Sequence, residues 1–341
     1  MTKCTMPVGS GGQTPEVPRS VFITGANGFI GRSLLKRYKA LGAQVRGMDL
    51  FADAENDVIA GDLTRPEVWA EHARGCDLFI NTAAVVSLAA SWKLYREVSV
   101  QGVRNCLQVA IAGGARRFVH ISSIAALGYK YPDLADESCD VVIGEHYRYG
   151  VAKGASEHVV LASHAAGEID CTVVRPGDVY GPGSRAWLIE PLKMAKAGAL
   201  ILPNGGKGVF TPVYVDDLLD GIMLAAGLDQ ARGHIFHLSS AKPTTCKAFF
   251  ANHWRWAGRS GAPRTLPLHL AAALTHLIWR FNSLFKIKSE VTPDAMYMFA
   301  RSGDISIAKA RRLLGYEPKV SLEEGLRRSE DWLRVTGQIA P

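Results

Sequence analysis

The sequence has few features of a secreted, membrane-spanning or disulfide-stabilised protein. Its 6 cysteines are scattered among 341 residues and form no C-x-x-C pair, so they indicate neither a zinc site nor a disulfide framework. Residues 1–19 hold prolines and glycines but no apolar run, so we expect a flexible leader rather than a signal peptide. Scattered cysteines of this kind suit a reducing compartment, and we expect a cytoplasmic location.

Charge of one sign does not dominate the sequence either. Lys and Arg number 39 against 32 Asp and Glu, which gives a net charge of +7. This excess favours anionic ligands or lipid surfaces, but it is too diffuse to predict a nucleic-acid partner. Hydrophobic residues make up 48% of the chain, which is typical of a globular protein that buries a core.

Short apolar runs alternate with helical patterns from Ser20 to about Arg175, which predicts βαβ units and a parallel sheet. After Arg175, loops rich in Gly and Pro separate shorter elements. We therefore predict an α/β protein with a Rossmann-type doubly wound parallel sheet over residues 20–176. A smaller C-terminal substrate-binding lobe is expected over residues 177–341, with some segments returning to the sheet. The predicted strands are Val21–Thr24, Gln44–Asp49, Val58–Ala60, Asp77–Asn81, Arg117–Ser122 and Cys171–Val174.

Three glycines, Gly25, Gly28 and Gly31, lie directly after the first predicted strand and open a helix. Without side chains there, the backbone can turn sharply and approach a pyrophosphate, whose charge meets free amides at the helix N-terminus. A plain glycine-rich turn is the alternative. The flanking strand and helix, and an acidic residue after the second strand, favour the nucleotide site.

That acidic residue is Asp49. Its carboxylate can accept hydrogen bonds from an adenosine ribose and would repel the 2′-phosphate of NADP, so NAD is favoured over NADP as the cofactor. We expect Arg46, three residues upstream, to point away from the ribose. Asp62, at the end of the third strand, either contacts the adenine amine or caps a helix, and the two interpretations are equally supported.

Tyr149 and Lys153 stand four residues apart, one helical turn, and so share one face. A free tyrosine titrates near pH ~10, so proton exchange at neutral pH needs a shift of about three units, and a nearby ammonium has the right sign. Ser123, at the end of the fifth strand, could hydrogen-bond a substrate carbonyl oxygen while Tyr149 transfers the proton. Adjacent Ser122 is expected to form local backbone hydrogen bonds.

Together, these motifs resemble the extended short-chain dehydrogenase/reductase family, over about residues 20–333. The later family landmarks are Arg175-Pro176, Val179-Tyr180-Gly181-Pro182 and Val215-Asp216-Asp217. The resemblance implies that Ser123 polarises the substrate oxygen, that Tyr149 is the acid/base, and that Lys153 lowers the pKa of Tyr149 and holds the nicotinamide ribose. No metal is expected, and the expected cofactor contacts are Gly25, Asn27, Gly28, Phe29, Ile30, Gly31, Asp49, Asp62, Leu63, Thr82, Ala83, Ala84, Tyr149, Lys153, Pro176 and Val179.

Within this family the chain looks most like the 3β-hydroxysteroid dehydrogenase/isomerase branch. The segments that carry this likeness are residues 45–49, 81–83 and 120–128. Relatives carry Asn-Val-x-Gly-Thr where this chain has residues 99–103, and His-x-Ala where it has residues 81–83. The likeness implies NAD-dependent interconversion of a secondary alcohol and a ketone on a steroid-like or other bulky apolar substrate, and we expect a homodimer. The alternatives are a nucleotide-sugar epimerase or dehydratase, and a non-catalytic NAD(P)-sensing module.

Residues 266–285 form a pattern with an apolar stripe at helical spacing. Polar residues on the opposite side make a membrane-spanning helix improbable. The segment is either an interfacial helix on anionic lipid that collects an apolar substrate, or an ordinary amphipathic helix that lines the substrate lobe. The apolar stripe consists of Leu270, Leu274, Leu277, Ile278, Phe281 and Phe285.

Overall fold

The computed structural model describes residues 5–144, 147–285 and 292–340. Within these ranges the strands are β1 (Ser20–Thr24), β2 (Gln44–Asp49), β3 (Val58–Ala60), β4 (Leu78–Asn81), β5 (Arg117–Ile121), β6 (Asp170–Pro176), β7 (Asp178–Tyr180), β8 (Ile201–Pro203), β9 (Val209–Phe210), β10 (Pro212–Tyr214), β11 (Ile235–Leu238), β12 (Thr244–Thr245) and β13 (Arg264–Leu266).

The helices are α1 (Phe29–Ala40), α2 (Ala70–Ala73), α3 (Trp92–Leu94), α4 (Gly102–Ala112), α5 (Arg148–Ala165), α6 (Glu190–Lys196), α7 (Val215–Gly227), α8 (Cys246–Trp256), α9 (Leu268–Leu284), α10 (Pro293–Phe299), α11 (Ala308–Leu314) and α12 (Leu322–Val335). None of the helices in the described ranges is both long enough and apolar enough to cross a bilayer.

A seven-stranded parallel sheet lies at the centre, in the order β11-β6-β5-β4-β1-β2-β3. The six strands predicted from the sequence are all present, and β11 is added from the C-terminal part of the chain. The direction in which the chain winds reverses between β1 and β4. In sheets of this topology, that reversal opens a ligand crevice at the carboxyl ends of the strands. The predicted fold class is confirmed.

Both faces of the sheet are covered, because successive side chains of each strand point to opposite faces. Val21 and Ile23 of β1 pack in the core that includes α1 and α7, whereas Phe22 between them belongs to the core on the face of α2, α4 and α5. There Phe22 stacks on Trp69 with ring centroids 6.0 Å apart. The two packed faces hold the carboxyl ends of the strands in fixed positions.

The C-terminal lobe is built from short strand pairs and helices. β7 pairs with β10 and β8 with β13 in parallel, and β9 pairs with β12 in antiparallel orientation. Phe210, Phe249 and Phe250 fill its core, and the rings of Phe210 and Phe249 stack at 3.9 Å. α7 and β11 lie after residue 176 in the chain but pack on or within the large sheet, so the two parts share one hydrophobic core.

The described part of the expected flexible leader, residues 5–19, is packed on the C-terminal part of the chain. Met6 is buried, and the Ser10 hydroxyl donates to the Leu313 carbonyl over 3.0 Å. Gly315 approaches so closely that a Cβ atom there would lie 2.2 Å from the Ser10 nitrogen. These contacts differ from what the proline and glycine content indicates, because the segment gains its order from α11 rather than from its own sequence.

Candidate active site

The three glycines after β1 form a tight loop against the end of β4. Gly25 has φ +72°, and a Cβ atom on it would lie 2.7 Å from both the Ala83 nitrogen and the Thr82 hydroxyl oxygen. A Cβ atom on Gly31 would lie 2.2 Å from the Gly25 carbonyl oxygen. Thr82 also donates its hydroxyl to the Thr24 carbonyl over 2.7 Å. Only glycine fits at positions 25 and 31, so the loop has the shape that a close backbone approach to a ligand requires.

The loop leads into α1 at Gly28, and the amides of the first turn begin with Phe29 and Ile30. Among the described residues no side chain caps this helix N-terminus, and its first turn carries no acidic residue. Uncapped amides at the positive end of a helix are donors for an anionic group. The residues present therefore fit the pyrophosphate of a dinucleotide.

Asp49 ends β2 beside this loop. Its carboxylate accepts hydrogen bonds from the backbone amides of Asn27, over 2.9 Å, and Leu50, over 2.7 Å. The Asn27 side chain donates to the Phe51 carbonyl over 2.7 Å, so the loop and the β2 end are joined twice. Arg46 instead lines a surface pocket with Arg19 near the amino ends of the strands, as predicted.

The Asp62 side chain makes hydrogen bonds within the turn that contains it. Its Oδ1 accepts from the Thr64 amide over 2.8 Å and from the Thr64 hydroxyl over 2.9 Å. The residue that precedes the next helical turn is Arg65, so Asp62 is not a helix cap. Neighbouring Leu63 is buried, and its carbonyl accepts from the Asn105 side chain over 2.7 Å.

Three of the other expected cofactor contacts lie at the carboxyl ends of strands of the large sheet. Ala83 and Ala84 follow β4 and are partly buried. Pro176 is the buried last residue of β6, and Val179 in β7 is half-buried with its carbonyl accepting from the Ser184 hydroxyl over 3.0 Å. Ala83, Ala84 and Pro176 thus lie at the edge of the sheet where the topology predicts a ligand crevice, whereas Val179 lies in β7, outside the large sheet.

The structure brings Ser123, Tyr149 and Lys153 together beyond the carboxyl end of β5. Ser123 follows this strand, and its hydroxyl oxygen accepts from the Ala125 amide over 3.1 Å. Tyr149 lies in the first turn of α5. Lys153, one turn later, is buried and donates from Nζ to the Ile121 carbonyl over 2.8 Å. Its Nζ lies 5.9 Å from the centroid of the Tyr149 ring, so the two side chains face one another.

The pKa values at this site are governed mainly by burial. Burial raises the pKa of Tyr149 above its usual value, and a hydrogen bond with Ser123 opposes this rise. The direction is opposite to the predicted lowering by Lys153, because removing a phenolate from water is the larger effect here. Burial also lowers the pKa of Lys153 to about 8, and the nearby Glu157 carboxylate opposes that shift.

A chain of buried hydrogen bonds that the sequence analysis missed connects the glycine loop to α5. The Thr24 hydroxyl donates to Asn81 Oδ1 over 2.5 Å, and Asn81 Nδ2 lies 3.0 Å from His120 Nδ1. His120 Nε2 lies 2.9 Å from the Ser156 hydroxyl, which donates to the Lys153 carbonyl over 2.7 Å. Because the Ser156 proton is used there, we assign the imidazole proton to Nε2.

Burial, with Lys153 as a second cause, lowers the pKa of His120 well below its usual value, so the ring is neutral. This series of hydrogen bonds therefore contains no charged group, and it connects β1, β4 and β5 to α5. The signal in the sequence is a histidine flanked by apolar residues in β5.

A second buried group lies directly behind Lys153. Arg175 donates from Nε and Nη2 to the two carboxylate oxygens of Glu157, over 2.9 and 2.6 Å. The Ser122 hydroxyl donates to Glu157 as well, so the prediction that Ser122 makes local backbone hydrogen bonds is wrong for its side chain. Glu157 and Arg175 are each 1% exposed. The pair fixes α5 to β6 through charge-assisted hydrogen bonds.

Apolar and aromatic side chains surround Tyr149. Its ring lies 6.4 Å from that of Tyr95, in a cluster with Val85 and Ala90. Tyr147, two residues before Tyr149, makes an edge contact with Tyr129 at 4.4 Å, and its ring lies 6.4 Å from Tyr297 of α10. Tyr149 thus has one aromatic neighbour in Tyr95, and a second group of tyrosines adjoins it through Tyr147.

The match to a family model agrees with this geometry. Residues 21–238 match the model of the NAD dependent epimerase/dehydratase family. A ketoreductase for 4-hydroxy-2-methyl-3-oxo-4-farnesyl-3,4-dihydroquinoline-1-oxide from Stigmatella aurantiaca is 28% identical, over 93% of this chain and 96% of that one. A 3 beta-hydroxysteroid dehydrogenase/Delta 5→4-isomerase from Mycobacterium tuberculosis is 27% identical, over 94% of this chain and 91% of that one.

Among solved structures, the dTDP-glucose 4,6-dehydratase of Streptomyces venezuelae, determined with NAD bound, superimposes with a TM-score of 0.75 at 22% identity. The match covers 94% of this chain and 99% of that chain, and it shows a shared fold. The chain belongs to the NAD-dependent epimerase/dehydratase family and is an enzyme of the short-chain dehydrogenase/reductase type that acts on CH–OH groups.

Proposed function

We propose that this enzyme interconverts a secondary alcohol and a ketone on a bulky, apolar, steroid-like substrate, with NAD(H) as its cofactor. The observation that carries the proposal is the meeting of Ser123, Tyr149 and Lys153 beyond the end of β5. The glycine loop lies two strands away, beyond the end of β1. Neighbouring strands are about 4.8 Å apart, so the two sites are separated by roughly 10 Å, a span that one dinucleotide bridges.

In this proposal Ser123 donates a hydrogen bond to the substrate oxygen, and Tyr149 exchanges the proton with the same oxygen. NAD, when bound, takes up the hydride that leaves the alcohol carbon. The raised pKa of Tyr149 keeps its phenol protonated at neutral pH, and this is the form that donates a proton to a ketone. Lys153, anchored on the Ile121 carbonyl, orients its ammonium toward the Tyr149 ring and the nicotinamide ribose.

The substrate class is supported by the surroundings of Tyr149 and by the relatives. Val85, which packs with Tyr149, and the neighbouring Tyr147 and Tyr297 are not fully buried and can offer apolar and aromatic surface. Such surface suits a large ring system better than a charged sugar diphosphate. Two of the relatives bear the names of a farnesylated quinoline ketoreductase and a 3β-hydroxysteroid dehydrogenase.

The preference for NAD over NADP rests on Asp49. Its carboxylate, held by the amides of Asn27 and Leu50, stands where the adenosine ribose would lie and would repel a 2′-phosphate. We expect NADH to bind more tightly than NADPH, measured by nucleotide fluorescence. Asp49→Ser should narrow that difference by roughly tenfold or more, since the variant removes a like charge. An unchanged ratio would remove the basis for the NAD assignment.

The experiment that tests the reaction is a panel of alcohols and ketones read by the absorbance of NADH. The panel contains 3β-hydroxysteroids, their 3-ketones, small secondary alcohols and UDP-sugars. Turnover confined to the large apolar members supports the proposal. If the enzyme turns over only the UDP-sugars, or if only they raise its melting temperature, the result would favour a nucleotide-sugar epimerase or dehydratase. NADH binding without turnover of any member would favour a sensing module.

A further inference from the structure

The α9 helix presents its apolar side chains to solvent. Of its residues only Ala271 and Thr275 are buried. Leu277 is 67% exposed, Phe281 57% and Leu284 77%. Every member of the apolar stripe predicted from the sequence is exposed: Leu270, Leu274, Leu277, Ile278, Phe281 and Phe285. The stripe therefore does not line the substrate lobe, and a continuous apolar surface of this kind marks an interaction site.

Basic residues dominate the stretch of sequence that contains α9, and the nearest carboxylate on a packed helix is Asp294 of α10. Between Asp229 and Glu290 the sequence contains no acidic residue. Within the described ranges, no carboxylate lies at ion-pair distance from Arg264, just before α9, or from Arg280 on it. The same stretch of sequence also contains Lys242, Lys247, Arg259, Lys286 and Lys288, whereas Arg232 and Arg255 are paired with carboxylates and do not contribute. An apolar face bordered by unpaired cations matches an anionic lipid surface.

We propose that the exposed face of α9 rests on a lipid bilayer that contains anionic headgroups, with its leucines and phenylalanines inserted below the headgroup level. Trp279, 37% exposed, is of the residue type that favours this boundary, because its ring is apolar and its N–H can still reach water. A twofold contact between two copies of α9 fits less well. It would set the basic segment of one copy against the same segment of the other.

The buried side of α9 packs on α10, which in turn contacts a residue near the candidate active site. Ala271 packs with Ala295 and Met296 of α10, and Leu88 from the loop after β4 joins the same cluster. Tyr297, next along α10, contacts Tyr147, two residues before Tyr149. A membrane at α9 would thus lie one helix away from the site, so an apolar substrate could enter from the lipid. This route depends on the function proposed above, whereas the docking surface does not.

The test is sedimentation of the full chain with vesicles, which requires no turnover. We expect the protein to sediment with vesicles of phosphatidylcholine and phosphatidylglycerol, and less with phosphatidylcholine alone. The double variant Leu277→Glu/Phe281→Glu should lower the bound fraction by roughly tenfold or more, since it places charge on the inserted face. Val335→Glu, at a position 87% exposed on α12, is the matched control and should bind like the unmodified chain.

A second pair of substitutions separates charge from apolar contact. Arg264→Glu/Arg280→Glu should weaken binding to the anionic vesicles by roughly tenfold or more, and should change binding to phosphatidylcholine much less. The proposal is overturned if the chain binds neither vesicle, or if the Leu277→Glu/Phe281→Glu variant binds as well as the unmodified chain. It is also overturned if light scattering shows a dimer that this variant dissociates, without any vesicle binding. Vesicle binding by a chain that turns over no steroid would contradict only the proposed function.

Discussion

Two helices of similar length, α5 and α9, differ in what they bury: α5 buries charged and polar side chains, and α9 exposes apolar ones. α5 has 18 residues and buries Lys153, Ser156 and Glu157, whereas α9 has 17 residues and exposes four leucines, Leu270, Leu274, Leu277 and Leu284. Lys153 is 4% exposed and Leu277 is 67% exposed. Buried charge and exposed apolar surface both cost stability, so neither arises from folding alone. In our proposals each departure marks a functional region: a dinucleotide and substrate bind beside α5, and lipid contacts α9.

The largest expected effect lies in the first turn of α5. Tyr149→Phe removes the phenol hydroxyl that exchanges a proton, and we expect turnover to fall by roughly a thousandfold. NADH binding, followed by fluorescence, should be retained because the glycine loop is untouched. Tyr131→Phe removes the hydroxyl of a tyrosine outside this site, where it makes no hydrogen bond, and this control should keep most of the activity. An active Tyr149→Phe enzyme would show that α5 buries its polar groups for stability alone.

The buried ion pair behind Lys153 should have the next largest effect. Glu157→Gln leaves the Arg175 charge buried without a counter-ion, and we expect the free energy of unfolding to fall by about 3 kcal/mol in a urea titration. Glu71→Gln breaks an ion pair with Arg74 in which both side chains are mostly exposed, and it should cost less than about 1 kcal/mol. Equal losses for the two variants would contradict the burial described for α5.

The buried ammonium of Lys153 should make stability depend on pH. Burial lowers its pKa to about 8, while an unfolded lysine titrates near ~10.4. Between these values the unfolded chain holds a proton that the folded chain has released, so the contribution of Lys153 to stability rises with pH. Relative to Lys153→Met, the unmodified chain should gain up to about 3 kcal/mol of unfolding free energy across this window.

Lys193→Met, at an exposed position on α6, serves as the control for the pH series, and its difference from the unmodified chain should stay flat. Urea titrations at several pH values provide the measurement. A flat difference for Lys153→Met as well would mean that Lys153 remains charged and solvated in the folded protein.

The smallest expected effect lies on α9. Leu277→Ala should change the free energy of unfolding by less than about 0.5 kcal/mol, because the side chain is already in water. Val160→Ala on α5, where the side chain is 0% exposed, should cost about 2 kcal/mol through lost packing. If Leu277→Ala is as costly as Val160→Ala, α9 is covered by protein in solution.

Local sequence patterns were sufficient for six of the seven strands of the sheet and for the loop that follows β1. The strand, the three glycines and α1 are contiguous in the chain, so their geometry follows from steric rules that act over a few residues. Asp49 was identifiable for the same reason, as the first acidic residue at the end of β2. The spacing of Tyr149 and Lys153 likewise needs only the pitch of one helix.

The network behind these residues was not identifiable in this way. Asn81, His120 and Ser156 lie 39 and 36 positions apart along the chain, on two strands and a helix, and they meet only because the strands align in register. The predicted lowering of the Tyr149 pKa is also wrong, because the sequence shows that a lysine is nearby but not that the phenol is buried.

The sequence by itself determined six strands of the sheet, the glycine loop and the candidate reactive side chains, since these depend on short-range sterics and spacing. Tertiary structure decided which groups are buried together and which faces stay open. The same apolar stripe on residues 268–284 could have faced the core or the solvent, and only the packing of Ala271 and Thr275 against the protein turned it outward. Burial is a property of the whole assembled chain, so no local pattern could supply it.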